Sequence, residues 1–577
     1  MSMEAPRPTR FDVVHDLGRV AQSMAPQPLR VSRGEAWVAA ASPVALVAVL
    51  AIAALGVTEG SPAAWGATAI AGLVLLASLV REVAERDFRG IWRWVPLPVL
   101  PFFYDRPLTL AGIAGIRQLV MALRTFSRHP RGRQSTEWLW THPVEFLALG
   151  FAAVIGFGTL LLLLPAASTL PRGVSFVDAL FTATSATCVT GLTVVDTAKA
   201  YTPFGWAVIA AVIQVGGIGV MALSTLAAVV AGKRLGLAQS GAVAASMETT
   251  AAVDAVQIVK VVVYGTLITE GIGAVILFVS FLPDLPVHAA AGYAVFHSIS
   301  AFCNAGFALW TDNLSPYSGH APVVLTVGFL IIFGGLGFLV LAELLEWIRN
   351  PARRRRPLSL HARIVLVATL VLIVGGAVLF ALLEWQGAME GLSFPEKLLN
   401  AFFQSVTTRT AGFNTVPMAG LTGATVLLFI VLMFIGASPG STGGGIKTST
   451  ATTILLAVRA YMRGREAVEV GGRTISQPTV VRAVVLVALA ATACIVGFFL
   501  LLMTQDVSFE SLFFETVSAF GTVGLSIGAT AEVDNSGKLV LIALMYVGRV
   551  GPLTLILLLG TTASEPVRYP EEPVALT

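Results

Sequence analysis

Apolar residues are grouped along this chain into long runs, which are separated by short polar or charged segments. About 20 consecutive apolar residues are enough for a helix to cross the hydrocarbon core of a bilayer, which is roughly 30 Å thick. The pattern therefore predicts an all-α, multi-pass membrane protein with about ten spans. The predicted spans lie near 36–58, 62–80, 144–165, 203–231, 259–282, 321–347, 361–385, 420–461, 478–504 and 537–561.

The segment 420–461 is too long for one crossing, and its middle is rich in glycine. Three consecutive glycines end at Gly445, and Ser, Thr and Pro precede them, so a stable helix cannot continue here. A Walker A phosphate loop is the alternative interpretation of 440–448. Ile446 separates these glycines from Lys447, however, and no soluble strand precedes them. We therefore expect a break inside this span.

The last eight spans form four pairs, and each pair encloses a short helix-like stretch followed by a glycine turn. The turn glycines are 115, 106 and 112 residues apart, and a second glycine follows them after 25, 28, 24 and 24 residues. The matching offsets predict four copies of a span, half-helix, turn and span around a pseudo-fourfold pore. The second glycines are equally consistent with close helix packing. The turn glycines are Gly191, Gly306, Gly412 and Gly524; the second glycines are Gly216, Gly334, Gly436 and Gly548.

The composition excludes a soluble globular protein, because hydrophobic residues make up 56% of the chain, charged residues 12%, and the mean hydropathy is +0.82. The first 35 residues are polar and basic, so we expect no cleavable signal peptide. The net charge of +4 gives no reason to expect nucleic acid binding. Three cysteines and seven histidines show no disulfide framework or metal-ligand spacing, and we do not expect an enzyme.

Charged residues are segregated to opposite ends of the predicted spans. By the positive-inside rule, both termini face the cytoplasm and the glycine turns open from the outside. Acidic residues on the outer side should raise the local cation concentration. The basic set is Arg124, Arg128, Arg131, Arg133, Lys233, Arg234, Arg349, Arg353 to Arg356, Arg459, Arg463, Arg465, Arg473 and Arg482. The acidic set is Asp178, Asp196, Asp284, Asp312, Glu384, Glu390, Glu396, Asp506 and Asp534.

The glycine turns favour a monovalent cation. Non-helical backbone at membrane depth is tolerated where protein buries it or where it lines a water-filled path. Inward-pointing carbonyl oxygens can replace the hydration shell of a potassium ion, whereas hard divalent ions usually require carboxylates, which the four turns lack. The half-helices aim their dipole-negative ends at the turns, which also favours a cation. A single glycine in each turn predicts a loose filter that passes some sodium.

Several motifs together resemble the Trk/Ktr/HKT superfamily of potassium transporters. They are the four glycine turns, the glycine-rich segment from Gly436 to Thr448, and the segments Phe520 to Ser526, Gly548 to Thr554 and Arg568 to Glu572. The last three are most similar to the bacterial KtrB branch, and the resemblance runs from about residue 140 to the end. The first 140 residues depart from that branch because they add two spans, as in TrkH.

The resemblance implies roles for particular residues. The ion filter would consist of Thr190, Gly191, Ala305, Gly306, Ala411, Gly412, Val523 and Gly524. Potassium would bind the backbone carbonyls of Val189, Thr190, Asn304, Ala305, Thr410, Ala411, Thr522 and Val523. An intramembrane loop at 436–447 would gate the pore, and the gating residues would be Gly436, Ser438, Gly440, Gly443, Gly444, Gly445, Lys447 and Arg549.

Arg549 lies within an apolar span, where an arginine costs at least a few kcal/mol and usually faces protein or a water-filled cavity. The resemblance places it below the filter, where it would bind carbonyls of the gating loop and add an electrostatic barrier. An arginine that only packs helices is the alternative. We expect Asn304 to orient its own turn, Arg409 to brace the third turn from behind, and Glu515 to accept hydrogen bonds from backbone near the fourth turn.

These expectations combine into a multi-pass protein of the bacterial inner membrane that takes up K⁺ through a channel-like pore. The resemblance implies a homodimer, surrounded by membrane lipid, on a ring of cytosolic regulatory subunits like KtrA or TrkA. Nucleotide would bind only to that partner. The alternative is a secondary transporter coupled to protons or sodium, as in TrkH-like symport. Such transporters usually have inverted repeats and midplane carboxylates, whereas these repeats run in one direction.

The predicted organisation has seven segments. A cytoplasmic segment at 1–35 precedes two extra spans and an interfacial segment at 36–140. The four pore units follow, and a short cytoplasmic tail ends the chain at 564–577. The units occupy 141–234, 235–356, 357–477 and 478–563.

Overall fold

The computed structural model describes residues 143–219, 255–350 and 357–551. The predicted spans at 36–58 and 62–80, the segment 81–140 and the C-terminal tail lie outside these residues. The described part is helical apart from one antiparallel hairpin of β1 (Val468–Val470) and β2 (Arg473–Ile475), and it includes two 3₁₀ turns (Pro165–Ala167 and Ser315–Tyr317). The helices are α1 (Pro143–Leu162), α2 (Phe176–Thr187), α3 (Thr197–Ala200), α4 (Pro203–Ile218), α5 (Ala255–Phe281), α6 (Val287–Phe302), α7 (Ala321–Leu336), α8 (Phe338–Arg349), α9 (Leu360–Glu384), α10 (Phe394–Thr407), α11 (Gly423–Phe434), α12 (Thr448–Met462), α13 (Gln477–Thr504), α14 (Phe509–Gly521), α15 (Ala529–Glu532) and α16 (Asn535–Val550).

The helix order follows the predicted unit, in which an outer helix, a half-helix, a glycine turn and an inner helix succeed one another. The outer helices are α1, α5, α9 and α13, the half-helices are α2, α6, α10 and α14, and the inner helices are α4, α7, α11 and α16. Among the described residues, α5, α9 and α13 are long and apolar enough to cross a membrane. The half-helices, of 12 to 16 residues, are too short to do so.

Three half-helices begin at a serine that caps their first turn. The hydroxyl of Ser175 accepts a hydrogen bond from a backbone amide of α2, and Ser508 does the same for α14. Ser393 and Glu396 form a capping box at the start of α10. α6 starts after Pro286 without a side-chain cap. The caps satisfy the amides at the outer ends of these helices, so their carbonyl ends point toward the turns.

The half-helices are buried, whereas the outer helices are exposed on one face. Phe181, Phe302, Phe403 and Phe520, one on each half-helix, are at most 2% exposed. The outer helices instead expose many apolar side chains; on α9, for example, Val371 is 63% exposed. The described residues therefore expose apolar side chains on the outer helices and bury the half-helices that lead to the turns.

Three of the inner helices end at a glycine, and the predicted remainders of the spans near 203–231 and 537–561 lie outside the described residues. α4, α7 and α16 each stop at a glycine with positive φ, which are Gly219 (87°), Gly337 (89°) and Gly551 (93°). Glycine adopts this conformation without steric cost. The predicted span at 321–347 is not straight, because the chain bends by 104° between α7 and α8. The predicted break within 420–461 is confirmed, because α11 ends at Phe434 and α12 begins at Thr448.

Candidate ion pathway

The four glycine turns share one backbone conformation. Two residues before each turn glycine, a residue with a side chain adopts positive φ: Val189 (51°), Asn304 (60°), Thr410 (65°) and Thr522 (49°). The turn glycines also have positive φ, between 71° and 93°. A left-handed conformation costs a residue with a side chain roughly 1–2 kcal/mol. The residue between them does not have positive φ, so the four turns share the same alternation of backbone conformation.

The four turn glycines form a closed ring. A methyl group on Gly191 would lie 3.0 Å from the Cα of Gly306, and one on Gly306 would lie 3.0 Å from the Cα of Gly412. A methyl group on Gly412 would lie 3.2 Å from the Cα of Gly524, and one on Gly524 would lie 2.9 Å from the Cα of Gly191. Each would also meet a carbonyl oxygen of the neighbouring turn; these oxygens belong to Ala305, Ala411, Val523 and Thr190. Side chains are therefore excluded from the ring, and four carbonyl groups border it.

A hydroxyl side chain at the end of each half-helix fixes the turn that follows. The hydroxyls of Ser185 and Ser518 accept hydrogen bonds from the amides of their turn glycines, at 3.0 and 3.1 Å. Ser300, Thr407 and Ser518 donate to the carbonyl of the residue after the turn glycine, at 2.8, 2.6 and 2.7 Å. Sequence analysis missed these residues. Their signal was a serine six residues before the turn glycine in three of the units.

The segment 435–447 lies directly against the ring, on the side where the half-helices end. A side chain at Gly443 would collide with Thr410, and one at Gly444 would collide with Thr522. The amide of Gly444 donates to the hydroxyl of Thr522 at 3.0 Å. Thr442 donates to the last carbonyl of α6 at 3.2 Å. The segment thus contacts the turns of the third and fourth units and the half-helix of the second.

Backbone hydrogen bonds fasten this segment to the bend between α7 and α8. The amides of Ser438 and Thr442 donate to the last turn of α7, at 3.1 and 3.2 Å, and the carbonyl of Gly440 accepts from the first amide of α8 at 3.1 Å. A side chain at Gly337 would collide with the carbonyl of Pro439. The bend in the second unit and the break in the third unit are therefore complementary. Lys447 donates to the carbonyl of Gly443 at 2.8 Å, which holds the three-glycine stretch in a tight loop.

Arg549, on α16, connects the segment 435–447 to the first unit. Its guanidinium donates to the carbonyls of Thr442 and Gly216, and it lies 5.6 Å above the ring of Phe151 on α1. The predicted contact with a loop carbonyl is thus present. The guanidinium is planar and presents its donors as a fork, which lets it reach two carbonyl groups at once.

Asn304 and Arg409 lie behind the ring. Asn304 is fully buried, and in the orientation that satisfies both amide atoms its nitrogen donates to the carbonyls of Phe302 (3.3 Å) and Ile331 (3.2 Å). Arg409 is 5% exposed and donates to Thr369 of α9 at 3.4 Å. Both placements agree with the expectation that these residues orient and brace their turns. Neither side chain is placed to carry an ion.

Glu515, on the fourth half-helix, is fully buried and accepts hydrogen bonds just after the fourth turn. The hydroxyl of Thr530 donates to it at 2.6 Å, and the hydroxyl of Ser526 donates to its other oxygen. Backbone groups of Ile527 and Thr530 also contribute, as the sequence predicted. The carboxylate therefore ties the turn to the segment that leads away from it.

The second glycines allow the inner helices to approach the half-helices. A side chain at Gly216, Gly334 or Gly548 would collide with the carbonyl four residues before the turn glycine of the same unit. These three glycines are therefore close-packing positions, which is one of the two interpretations that the sequence allowed for the second glycines. Gly436 differs, because a side chain there would meet the carbonyl of Gly444 within the segment 435–447. In the third unit, where the inner helix is broken, a contact within the segment 435–447 thus takes the place of the contact between inner helix and half-helix.

A buried polar cluster joins the first and second units behind the ring. Glu270 of α5, which is 6% exposed, accepts a hydrogen bond from Gln214 of α4 at 2.9 Å, and the thiol of Cys303 lies 3.8 Å from its other oxygen. Cys303 is three residues from Gly306. Sequence analysis missed this cluster. Its signal was a single carboxylate in the apolar run 262–281.

Several of the acidic side chains that we expect on the outer side are engaged in local contacts. Asp178 forms a half-buried salt bridge of 2.7 Å with Lys538 of the fourth unit, and Asp196 accepts from Thr311 of the second unit at 2.8 Å. Asp534 caps α16, and hydrogen bonds from Ser536, the amide at the start of the helix and a glutamine amide lower its pKa to about 2. This carboxylate therefore remains charged at neutral pH.

Comparisons with known proteins connect this geometry to a family. Residues 120–564 match the family described as TrkH, cation transport protein. The chain is 38% identical over 440 residues to the Ktr system potassium uptake protein B of Bacillus subtilis, covering 76% of this chain and 97% of that protein. It is 40% identical over 432 residues to the protein of the same name from Vibrio alginolyticus, covering 74% and 94%. The potassium/sodium uptake protein NtpJ of Enterococcus hirae is 37% identical over 443 residues, covering 75% and 97%.

The fold is similar to the crystal structure of the potassium transporter TrkH from Vibrio parahaemolyticus, with a TM-score of 0.60 and 19% sequence identity. That match covers 86% of this chain and 98% of the other. The sequence relatives are potassium transport proteins and not enzymes.

Proposed function

This chain belongs to the TrkH family of cation transport proteins, and from that membership we propose that it takes up potassium across the cytoplasmic membrane of a bacterium. The ion follows a channel-like path through the ring of Gly191, Gly306, Gly412 and Gly524. Potassium is the substrate, because carbonyl groups can replace its hydration shell, and sodium passes less readily. The absence of a carboxylate from the ring disfavours divalent ions. The name of the potassium/sodium relative is consistent with a filter that admits both ions.

The closed contact of the four glycines is the observation that carries this proposal. Four turns with the same unusual φ pattern, bordered by carbonyl groups and free of side chains, suit a dehydrated monovalent cation. The half-helices direct their C-terminal ends toward the ring, and each such end carries roughly half a negative charge. The summed field favours a cation at the centre without binding it as tightly as a fixed carboxylate would.

Gating belongs to the segment 435–447. It blocks the cytoplasmic side of the ring through its contacts with Thr410 and Thr522, and Arg549 holds it to the first unit. Opening requires the segment to leave these contacts. Since the segment is also hydrogen-bonded to the bend after α7, a movement of α8 at the cytoplasmic surface would displace it.

Regulation occurs through a partner. Two copies of this chain form a homodimer on a ring of cytosolic nucleotide-binding subunits, and the nucleotide binds to those subunits. The basic connections near Lys233, Arg353 and Arg463 supply docking positions. The positive-inside bias alone also accounts for these charges, so the docking proposal rests on family membership.

The ring is tested with two glycines that share the same backbone angle. Gly306 and Gly173 both have φ of 71°, but a side chain at Gly306 meets the third turn, whereas none lies within 4 Å at Gly173. Gly306→Ser should reduce the preference for K⁺ over Na⁺ in a proteoliposome flux assay, while Gly173→Ser should leave it unchanged. Equal effects of both variants, or no change in preference for Gly306→Ser in folded protein, would contradict the proposal.

A further inference from the structure

A large apolar groove lies between α9 and α12, away from the ion path. Its volume is about 680 Å³, within the range of roughly 300–1,000 Å³ typical of ligand sites. One wall runs along α9 from Leu360 to Leu372, and the facing wall runs along α12 from Thr448 to Val458. Val367 and Leu455 on these walls are 61% and 69% exposed, so the groove opens sideways toward the bilayer.

The groove has the length of one lipid leaflet. At 1.5 Å per helical residue, the wall on α9 is about 18 Å long and the wall on α12 about 15 Å long. Half of a hydrocarbon core of roughly 30 Å is about 15 Å. Leu360 lies at the start of α9, and Val458 lies near the end of α12. Because these are the cytoplasmic ends of the two helices, both walls run from the cytoplasmic surface to the middle of the membrane.

An arginine stands at the cytoplasmic end of the groove. The Nε of Arg363 is inaccessible to solvent and has no hydrogen-bond partner among the described residues. No salt bridge to its guanidinium is formed within that part of the chain. The guanidinium packs over the hairpin turn at Gly471, which fixes its position beside the groove. The Nε itself is too enclosed for a ligand to reach, but the two terminal Nη groups are not among the enclosed unpartnered atoms. Planar guanidinium groups bind phosphate through such pairs of N–H donors.

We propose that an anionic phospholipid of the cytoplasmic leaflet occupies this groove, with one acyl chain between α9 and α12 and its phosphate on Arg363. The apolar walls match an acyl chain in chemistry and in length, and Arg363, the one charged side chain among the described lining residues, matches the phosphate. A free phosphate ion would satisfy the arginine but leave the apolar walls uncovered.

The inner end of the groove is formed by both ends of the segment 435–447. Phe434, Ile435 and Ile446 line it, and Ile435 pairs with Ile446 through a backbone bridge that closes the loop. A bound acyl chain therefore packs against the closed base of this segment and stabilises it. This consequence for ion flow rests on the proposed function, whereas the lipid site itself does not.

Photocrosslinking in nanodiscs tests the site with the full-length protein. Leu455→p-benzoylphenylalanine places a reactive group on the groove wall, in discs of phosphatidylcholine with or without phosphatidylglycerol. We expect a mass increase of one phospholipid on the protein, with phosphatidylglycerol preferred over phosphatidylcholine. Both lipids offer a phosphate to the guanidinium, but only the phosphatidylglycerol headgroup has a net negative charge, because choline carries a compensating ammonium group. Labelling without headgroup preference, or a crosslink to a second copy or to residues 1–142, would overturn the proposal.

Matched charge variants complete the experiment. Arg363→Gln should remove the preference for phosphatidylglycerol, and Arg363→Lys should retain most of it. Arg482→Gln removes an exposed arginine from the start of α13, on the same membrane surface but outside the groove, and should have no effect. An equal loss in Arg363→Gln and Arg482→Gln would show a general surface charge effect and reject the site. Ala451→Phe, which fills the groove, should abolish lipid labelling in a protein that still elutes as a folded species.

Discussion

Replacing Arg549 distinguishes two ways in which a guanidinium below the ring can restrict ion flow. As a latch, it stabilises the segment 435–447 through hydrogen bonds to the carbonyls of Thr442 and Gly216. A hydrogen bond of a charged group contributes about 1.5–3 kcal/mol, so two of them hold the closed state by about 3–6 kcal/mol, or two to four powers of ten. As a fixed charge, it repels a cation at about 4 Å by roughly 4 kcal/mol at an effective dielectric constant of 20.

The two roles respond differently to substitution. Arg549→Ala removes both the latch and the charge, whereas Arg549→Lys keeps the charge but cannot span both carbonyls with one ammonium group. In potassium flux measured in proteoliposomes, both variants should exceed the wild type, and the alanine variant should exceed the lysine variant. Deleting Ser438 to Gly444 removes the Thr442 carbonyl. In that background the effect of Arg549→Lys should vanish, and that of Arg549→Ala should shrink to the charge effect.

This non-additivity is the decisive result, because residues that act through one contact couple in a double-mutant cycle. Phe151→Leu is the control, since it removes the ring beneath the guanidinium and leaves both hydrogen bonds in place. Equal and independent effects of Arg549→Ala and the deletion would refute the latch. Reduced flux in both backgrounds, with lowered thermal stability, would make Arg549 a structural arginine that only packs helices.

The remaining predictions concern the loop and two buried carboxylates. If the segment 435–447 blocks the path as proposed, deleting Ser438 to Gly444 alone should raise potassium flux. Unchanged or lost flux in folded protein would count against gating. Glu515→Ala leaves two hydroxyl donors without an acceptor. It should lower the free energy of unfolding by about 2–5 kcal/mol and weaken the preference for K⁺ over Na⁺ in the flux assay. Glu515→Gln should have smaller effects on the free energy of unfolding and on ion preference. Glu270→Ala should lower thermal stability and alter the preference for K⁺ over Na⁺, because it removes the partner of Cys303 beside the second turn. Glu270→Gln should retain the stability of the wild type. If both variants keep the ion preference of the wild type, Glu270 serves helix packing only.

The repeat and the glycine turns could be predicted because they depend on local chemistry. The conformation at Gly191 and its equivalents excludes side chains, so glycine recurs at a regular interval. The bend between α7 and α8 could not be predicted in the same way. Glycine is common in membrane helices as a packing residue, so Gly337 alone does not indicate a bend. The bend depends on the carbonyl of Pro439, which belongs to another unit and is brought there only by the fold.

The supporting residues show the same limit. Ser185 and Ser518 fix their turns through hydrogen bonds to the glycine amides, yet a serine in a membrane helix usually bonds to its own helix, and the sequence does not distinguish the two cases. Arg549 was recognisable from the cost of a charge in an apolar span. Its two acceptors were not, because one lies 107 and the other 333 residues away along the chain.

Ion uptake by the purified protein under a potassium gradient alone tests the central claim most directly. Proteoliposomes are given an inward K⁺ gradient with equal Na⁺ and pH on both sides, and a matched set is given an inward Na⁺ gradient instead. A channel-like path through the glycine ring predicts potassium influx without any other gradient, and slower sodium influx. Potassium uptake that appears only when a proton or sodium gradient is imposed would contradict the account and identify a coupled transporter.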